Sequence, residues 1–149
     1  MIALVQRVSE ASVSVEGRVE GKIGHGLLIL LGVHQADTER EVSWVARKCV
    51  NLRIFPDDQG LMNRSLLDVD GEALIISQFT LYGDTAKGNR PSFTESAPGD
   101  KAKQLYDEFV RVFEQLLGKP VQQGIFGAMM QVYLVNDGPV TLWVEKAPG

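Results

Sequence analysis

Few side chains in this sequence have the types and spacing that catalysis requires. The two histidines, His25 and His34, bracket the apolar run 26–33. Structural zinc takes four protein ligands and catalytic zinc three, and no cysteine or carboxylate cluster joins this pair at ligand spacing. Both are read as strand-end residues, with no metal and no organic cofactor expected. The stretch "GKIGHG" has the glycines of a phosphate loop but lies between two strands, with no helix opening after it, so its glycines are turns. The single cysteine, Cys49, falls on the apolar side of a helical pattern and is expected to be core and not nucleophile. That leaves "SQFTLYG" at 77–83, where Ser77, Gln78 and Thr80 interrupt the end of a hydrophobic run. A hydroxyl there could attack an ester only with a base beside it, and no histidine is near in sequence. A strand running out into solvent accounts for the same residues, and on the residues alone both readings stand. The other unusual feature is "NDGPVTLWVE" at 136–145, which sets Gly138-Pro139 between two strand-like runs although proline cannot donate to a sheet ladder.

The elements that must position these residues follow from periodicity. "MIALVQRV" and "ASVSVEGRVEGKIG" alternate apolar and polar residues around a turn at Gly17, and "GLLILLGVH" is a continuous apolar strand expected to be central. Thr38 with Glu41 three residues on is a capping box, followed by Val42, Val45, Ala46, Cys49 and Val50 on one helical face. "LRIF" reads as a short strand. A second long strand is expected over residues 73–82, with Ser77, Phe79 and Leu81 on one face and Gln78, Thr80 and Tyr82 on the other. The Gly-, Pro- and Ser-rich stretch 83–99 is long for a structureless loop in a compact domain, which marks it as functional. Asp100 is expected to cap a second helix with the stripe Leu105, Phe109, Val112, Phe113 and Leu116, stopped by Gly118 and Pro120. "GIFGAMMQVYLV" and "VTLWVE" read as the last two strands. The sum is an α+β fold: one compact domain over residues 1–149, with antiparallel-dominated, barrel-like sheets and two main helices.

With 149 residues, 44% of them hydrophobic and 23% charged, the chain has the composition of an ordinary folded domain. One cysteine and no basic-then-apolar leader point to a reducing compartment, the cytoplasm, and the longest apolar run is too short to span a bilayer. A net charge of −4 argues against non-specific coating of nucleic acid, but leaves room for a nucleic-acid substrate steered by a local basic patch.

Taken together and in this order, "SQFTLYG", "KGNRPSF" at 87–93 and "NDGPVT" at 136–141 resemble the D-aminoacyl-tRNA deacylases, also called D-tyrosyl-tRNA deacylases. The similarity runs from "ALVQRV" at 3–8 to "VTLWVE", essentially the whole chain. The resemblance implies a homodimer that hydrolyses the ester between a D-amino acid and the 3′-terminal adenosine of tRNA, a step of translation quality control. It implies active sites at the subunit interface, where Ser77, Gln78, Phe79 and Thr80 of one chain meet a Gly-cisPro motif, Gly138 and Pro139, of the other. Backbone carbonyls of that motif would reject L-residues by clash, tolerate many D side chains and accept glycine. Phe126 and Met130 match positions that wall the adenosine side, and Arg7 matches an arginine that braces the Gly-Pro loop through backbone carbonyls. Backbone N–H groups around Gln78 and Phe79 would form the oxyanion hole, with water attacking under the help of the ribose 2′-hydroxyl, or with Thr80 as nucleophile. Lys87, Arg90, Lys101 and Lys103 could contact phosphates. Two other functions are open to the same residues: a dimer that holds RNA ends without cutting them, and a small-ester hydrolase using Ser77 or Thr80.

Overall fold

The alternation that opens the sequence continues without a break, and in the computed structural model, which describes residues 1–149, it forms one long strand, β1 (Ile2–Val15). A turn at Glu16 and Gly17, both with positive φ, reverses the chain into β2 (Arg18–Ile23), antiparallel to the far end of β1. The apolar run becomes β3 (Gly26–Gly32), antiparallel to the near end of β1. On its other side β3 pairs in parallel with β6 (Glu72–Ser77), which pairs in parallel with the short β7 (Gln122–Gln123). The last strand, β8 (Gln131–Glu145), runs antiparallel along the opposite edge of β1. A two-strand ribbon, β4 (Phe55–Pro56) with β5 (Met62–Arg64), stands apart. The main sheet curls almost shut: a Cβ placed on Gly21 of β2 would lie 2.6 Å from the Gln123 carbonyl of β7. The architecture is therefore α+β with a nearly closed, barrel-like sheet, antiparallel except for the β3–β6 and β6–β7 pairs.

Both helices pack on one face of this sheet. Helix α1 (Glu39–Asn51) starts at the predicted capping box, where the Thr38 N–H and hydroxyl donate to Glu41 Oε2 at 2.7 and 2.8 Å. Burial works to raise the Glu41 pKa, but those bonds and one from the Gly149 N–H outweigh it and hold the carboxyl at about 2. Helix α2 (Gly99–Leu117) ends at Gly118, in the left-handed conformation with φ +82° and its N–H on the Glu114 carbonyl. Leu27, Ile29 and Leu31 of β3 meet Val42, Val45, Phe109 and Phe113 of the helices in the main core. Leu28 points the other way, into a second core with Val8, Val13, Ile23, Leu74 and Ile76. Burial on both faces explains why β3 reads as an unbroken apolar run. Cys49 is fully buried in the main core and its thiol is pushed up to about 12 by desolvation, which leaves it unreactive. No helix is long and apolar enough to cross a membrane.

The structure departs from the sequence expectation in several places. The strand expected over 73–82 stops at Ser77 and gives way to a 3₁₀ turn, Phe79–Tyr82, so the alternate-face assignment of its polar residues does not hold. The reason lies in the neighbour: the Gln78 N–H makes the last ladder bond, 2.8 Å to the Leu31 carbonyl, and β3 ends one residue later. Segment 124–130 is not strand; Gly127, at φ +78°, turns it before β8 begins. Gly138-Pro139 does not separate two strands of a hairpin but sits inside β8. Helix α2 begins at Gly99 after Pro98, so Asp100 is in its first turn and does not cap it. Of "LRIF" only Phe55 is in a strand.

Candidate active site

Three elements converge on one cavity of about 500 Å³: the end of β6, the start of α2 and the turn 124–130. Ser77, Gln78 and Phe79 form one wall, and Phe126 and Met130 another. Tyr106 of α2 fixes the first wall by donating from its buried hydroxyl to the Ile75 carbonyl at 2.7 Å, two residues before Ser77. Its phenol is raised well above the usual tyrosine range, first by desolvation, and stays a donor. Phe126 packs against Tyr106 and the main core, with ring centroids 5.8 Å apart. Met130 is seated against the second core, its Sδ close under Gly124. The shared strand parity expected for these two residues does not exist, because their segment is a turn. They meet at the cavity because each is anchored in a different core.

No lining residue is ionisable. Ile76, Gly99, Gly127, Ala128, Met129 and Val132 complete the walls, and none of them stood out in the sequence. Met129 is 92% exposed at the rim. The Thr80 hydroxyl accepts from the Gln78 side-chain amide, which is no base. Because the Gln78 N–H is spent on Leu31, it is not free to stabilise an oxyanion, contrary to the sequence expectation. The N–H groups of Phe79 and Thr80 open the 3₁₀ turn, have no carbonyl ahead of them in the turn, and donate to no other group.

The long loop after Tyr82 is pinned over this wall. Phe93 packs edge-on to Phe79 at 5.2 Å, the Ser96 hydroxyl donates to the Phe79 carbonyl at 3.0 Å, and Ala97 donates to Val33. Lys87 and Arg90 lie exposed near its tip and make no ion pair, whereas Lys103 is paired with Asp107 at 2.7 Å and the Lys101 ammonium donates to the Gln35 carbonyl. None of these four cations lines the cavity.

Gly138-Pro139 lies elsewhere in the chain, and its peptide bond is cis. Between the pairs Thr141↔Gln6 and Asn136↔Val8 the β8 backbone carries residues 137–140 opposite Arg7 alone, so they bulge from the ladder. Asn136 closes the base of the bulge: its Oδ1 accepts from the Val140 N–H at 2.7 Å and its Nδ2 donates to the Val140 carbonyl and Thr141 Oγ1. Arg7 holds it from below. Its Nε donates to the Asp137 carbonyl at 2.9 Å and its Nη1 to the Ile54 carbonyl at 2.6 Å, with the Asp137 carboxylate a further 3.5 Å contact. Gly138 has φ +147°, and a Cβ there would fall 2.8 Å from Val140 Cγ2. Asn136 was not singled out in the sequence; its place one residue before a bulge is visible only in the register.

Within one chain the two motifs are far apart. Ser77 is level with Leu31 and hence Ala3, while the bulge is level with Gln6 to Val8 on the far side of β1. That is three strand spacings and four residues, a separation along the sheet of roughly 20 Å.

Comparison with known proteins gives a consistent family. The family model described as D-Tyr-tRNA(Tyr) deacylase matches residues 4–145. A D-aminoacyl-tRNA deacylase of Salinibacter ruber is 63% identical over 146 residues, covering 98% of this chain and 97% of that protein. One of Roseiflexus castenholzii is 59% identical over 147 residues, covering 99% and 93%. Among solved structures, the c-Myc DNA unwinding element binding protein superposes with a TM-score of 0.94 at 40% identity, covering 99% of both chains. A probable eukaryotic D-amino acid tRNA deacylase, at 17% identity, TM-score 0.83 and coverage of 96% and 97%, shares the fold. With the family model matched over residues 4–145 and relatives 59–63% identical over nearly its full length, the chain belongs to the D-aminoacyl-tRNA deacylase family.

Proposed function

We propose that this hydrolase cleaves the ester of D-aminoacyl-tRNA, and of mischarged glycyl-tRNA, in a cavity that two chains complete together. The observation that carries the reading is the cavity itself. It is mostly apolar, without an ionisable wall residue, and its wall residue Phe79, together with the next residue, Thr80, carries an uncommitted N–H. Those donors suit the oxyanion of a tetrahedral intermediate. With no base to activate Thr80, water attacks the ester carbonyl, helped by the ribose 2′-hydroxyl of the substrate. The C–O bond to the ribose 3′-oxygen then breaks, and that oxygen leaves with a proton. Phe126 and Met130 hold the terminal adenosine. Thr80→Val is therefore expected to retain hydrolysis within about tenfold, a loss far smaller than removal of a nucleophile gives. Abolished turnover with unchanged substrate binding would assign Thr80 the covalent role instead.

The homodimer is supported by the outer side of β8, an unpaired edge that exposes Val132, Tyr133, Val135, Leu142 and Trp143. The roughly 20 Å between motifs in one chain suits a site in which Gly138 and Pro139 are lent by the other. Their carbonyls accept from the α-ammonium of a D-residue and fill the space an L side chain would need. The cytoplasm, where charged tRNA is used, is the compartment this activity requires. The function is tested by the release of D-tyrosyl, L-tyrosyl and glycyl groups from charged tRNA. Rapid release of the D and glycyl groups with slow release of L is expected, and equal rates for D and L would end the reading. A binder of RNA ends is the second reading, favoured by the name of the DNA-element-binding relative; it has no use for the uncommitted N–H groups of Phe79 and Thr80 at the cavity wall.

A further inference from the structure

Ten of the fifteen lysines and arginines make no ion pair, and four of those ten line a single open groove on the outer face of α1 and its exit. They are Arg40, Arg47, Lys48 and Arg53, with Glu39 the one acidic residue on the groove wall. In a chain of net charge −4 this is a concentrated cationic surface. Trp44 lies in its middle, 41% exposed, with the Lys48 ammonium 5.1 Å from its ring centroid. Arg40, Trp44, Arg47 and Lys48 follow helical spacing, so they form one track along α1, about 12 Å long from Arg40 to Lys48. Arg53 is held in place by Asn63, its Nε on the Asn63 carbonyl at 2.9 Å and its Nη2 on Asn63 Oδ1 at 2.8 Å, and makes no direct ion pair.

Both ends of the track adjoin the catalytic parts. At its start, the Gln35 carbonyl before α1 accepts from Lys101, two residues past the cavity residue Gly99. At its end, Arg53 precedes Ile54, whose carbonyl shares Arg7 with the Gly138 bulge. We infer that this groove binds the phosphate backbone of the tRNA beyond its 3′ end, with Trp44 offering a face for an unpaired base. Fixed cations track phosphates, an exposed aromatic stacks bases, and the salt dependence of binding counts the phosphates neutralised. The inference rests on the proposed tRNA substrate, and it places the main RNA contact on α1 and not on Lys87 and Arg90.

The test separates the groove from the cavity. Binding of uncharged tRNA is measured by fluorescence anisotropy between about 50 and 200 mM salt, a range over which phosphate contacts are resolved. The doubly reversed Arg47→Glu, Lys48→Glu chain is expected to bind about tenfold or more weakly, with a log–log salt slope smaller by about 2. The reversal Arg18→Glu, Lys22→Glu on β2 changes net charge equally and is expected to stay within about twofold, as a change outside the phosphate track should. Hydrolysis of a D-tyrosyl ester of adenosine, which has no RNA body, should be untouched in both and reports that the site is folded. Binding by the α1 variant that matches wild type, or an equal loss in the β2 variant, overturns the inference. Failure of the wild-type protein to cleave that ester would instead remove the proposed function, and leaves the binding result to judge the groove.

Discussion

Gly138→Ala lowers kcat/KM on D-tyrosyl-tRNA by about 100-fold or more, the scale of loss that a displacement of about 1 Å in positioning groups produces. The backbone at this position has φ +147°, which L side chains rarely adopt, and the new Cβ would lie 2.8 Å from Val140 Cγ2 and 2.9 Å from the Val140 nitrogen. Neither neighbour can retreat freely, because the Val140 N–H is clasped by Asn136 and a third close atom, Arg7 Nη2 at 3.3 Å, belongs to the bracing guanidinium. The bulge must therefore shift, and with it the carbonyls proposed to read chirality. The fold should survive, since Gly138 and Pro139 are exposed, with stability lower by about 1 kcal/mol or more. The same variant should also discriminate less between D and L substrates. Single-turnover hydrolysis of both, beside a urea unfolding curve, checks the three effects. Activity within tenfold of wild type would mean that the bulge does not touch the substrate.

Arg7→Met carries the second large effect, and it reaches both stability and activity. The guanidinium is 11% exposed and bridges the Asp137 and Ile54 carbonyls, tying the Gly138 bulge to the segment after α1. Two hydrogen bonds from a charged donor contribute about 1.5–3 kcal/mol each, so a total loss of about 3 kcal/mol is expected after the remaining exposure is allowed for. Methionine keeps the apolar stem, which isolates the loss of the donors. Lysine restores the charge but not the fork, so Arg7→Lys should recover only part of the difference. The kcat/KM for D-tyrosyl-tRNA should fall more than about tenfold in Arg7→Met, because an unbraced bulge samples positions that do not fit the substrate. Wild-type stability and activity in Arg7→Met would reduce the arginine to a surface ion pair with Asp137.

What could be read from sequence was what local chemistry decides. The Thr38–Glu41 box, the Gly118 stop and the doubly buried run of β3 each follow from neighbours a few residues away. Where the reading failed, the deciding contact was distant. "SQFTLYG" alternates as a strand should, but β3 ends at Gly32, so there is no ladder for Phe79 and Thr80 to join, and their N–H groups are left free. Proline inside β8 is tolerated because that strand pairs only with β1, and because the bulge opposite Arg7 takes residues 137–140 out of the ladder. Gly124 and Gly127 were the local signal that "GIFGAMM" turns; the apolar residues between them disguised it. The residues of the candidate site were named through family resemblance and not through periodicity. The basic track on α1 was written in the sequence at helical spacing, yet only the absence of acidic partners in the fold makes it conspicuous.

In the proposed site one chain lends its Gly138-Pro139 bulge to the cavity of another. Mixed dimers test it most directly. One chain carries Gly138→Ala with its cavity intact; the other carries Ala128→Trp, which fills the cavity but leaves its bulge intact. Each homodimer should be inactive. If the bulge acts across the two-fold axis, every mixed dimer has one wholly native site, and random assembly restores about a quarter of wild-type D-tyrosyl-tRNA hydrolysis. If bulge and cavity of the same chain work together, no mixed dimer has a native site. Activity that stays at the level of the separate variants would then contradict the account.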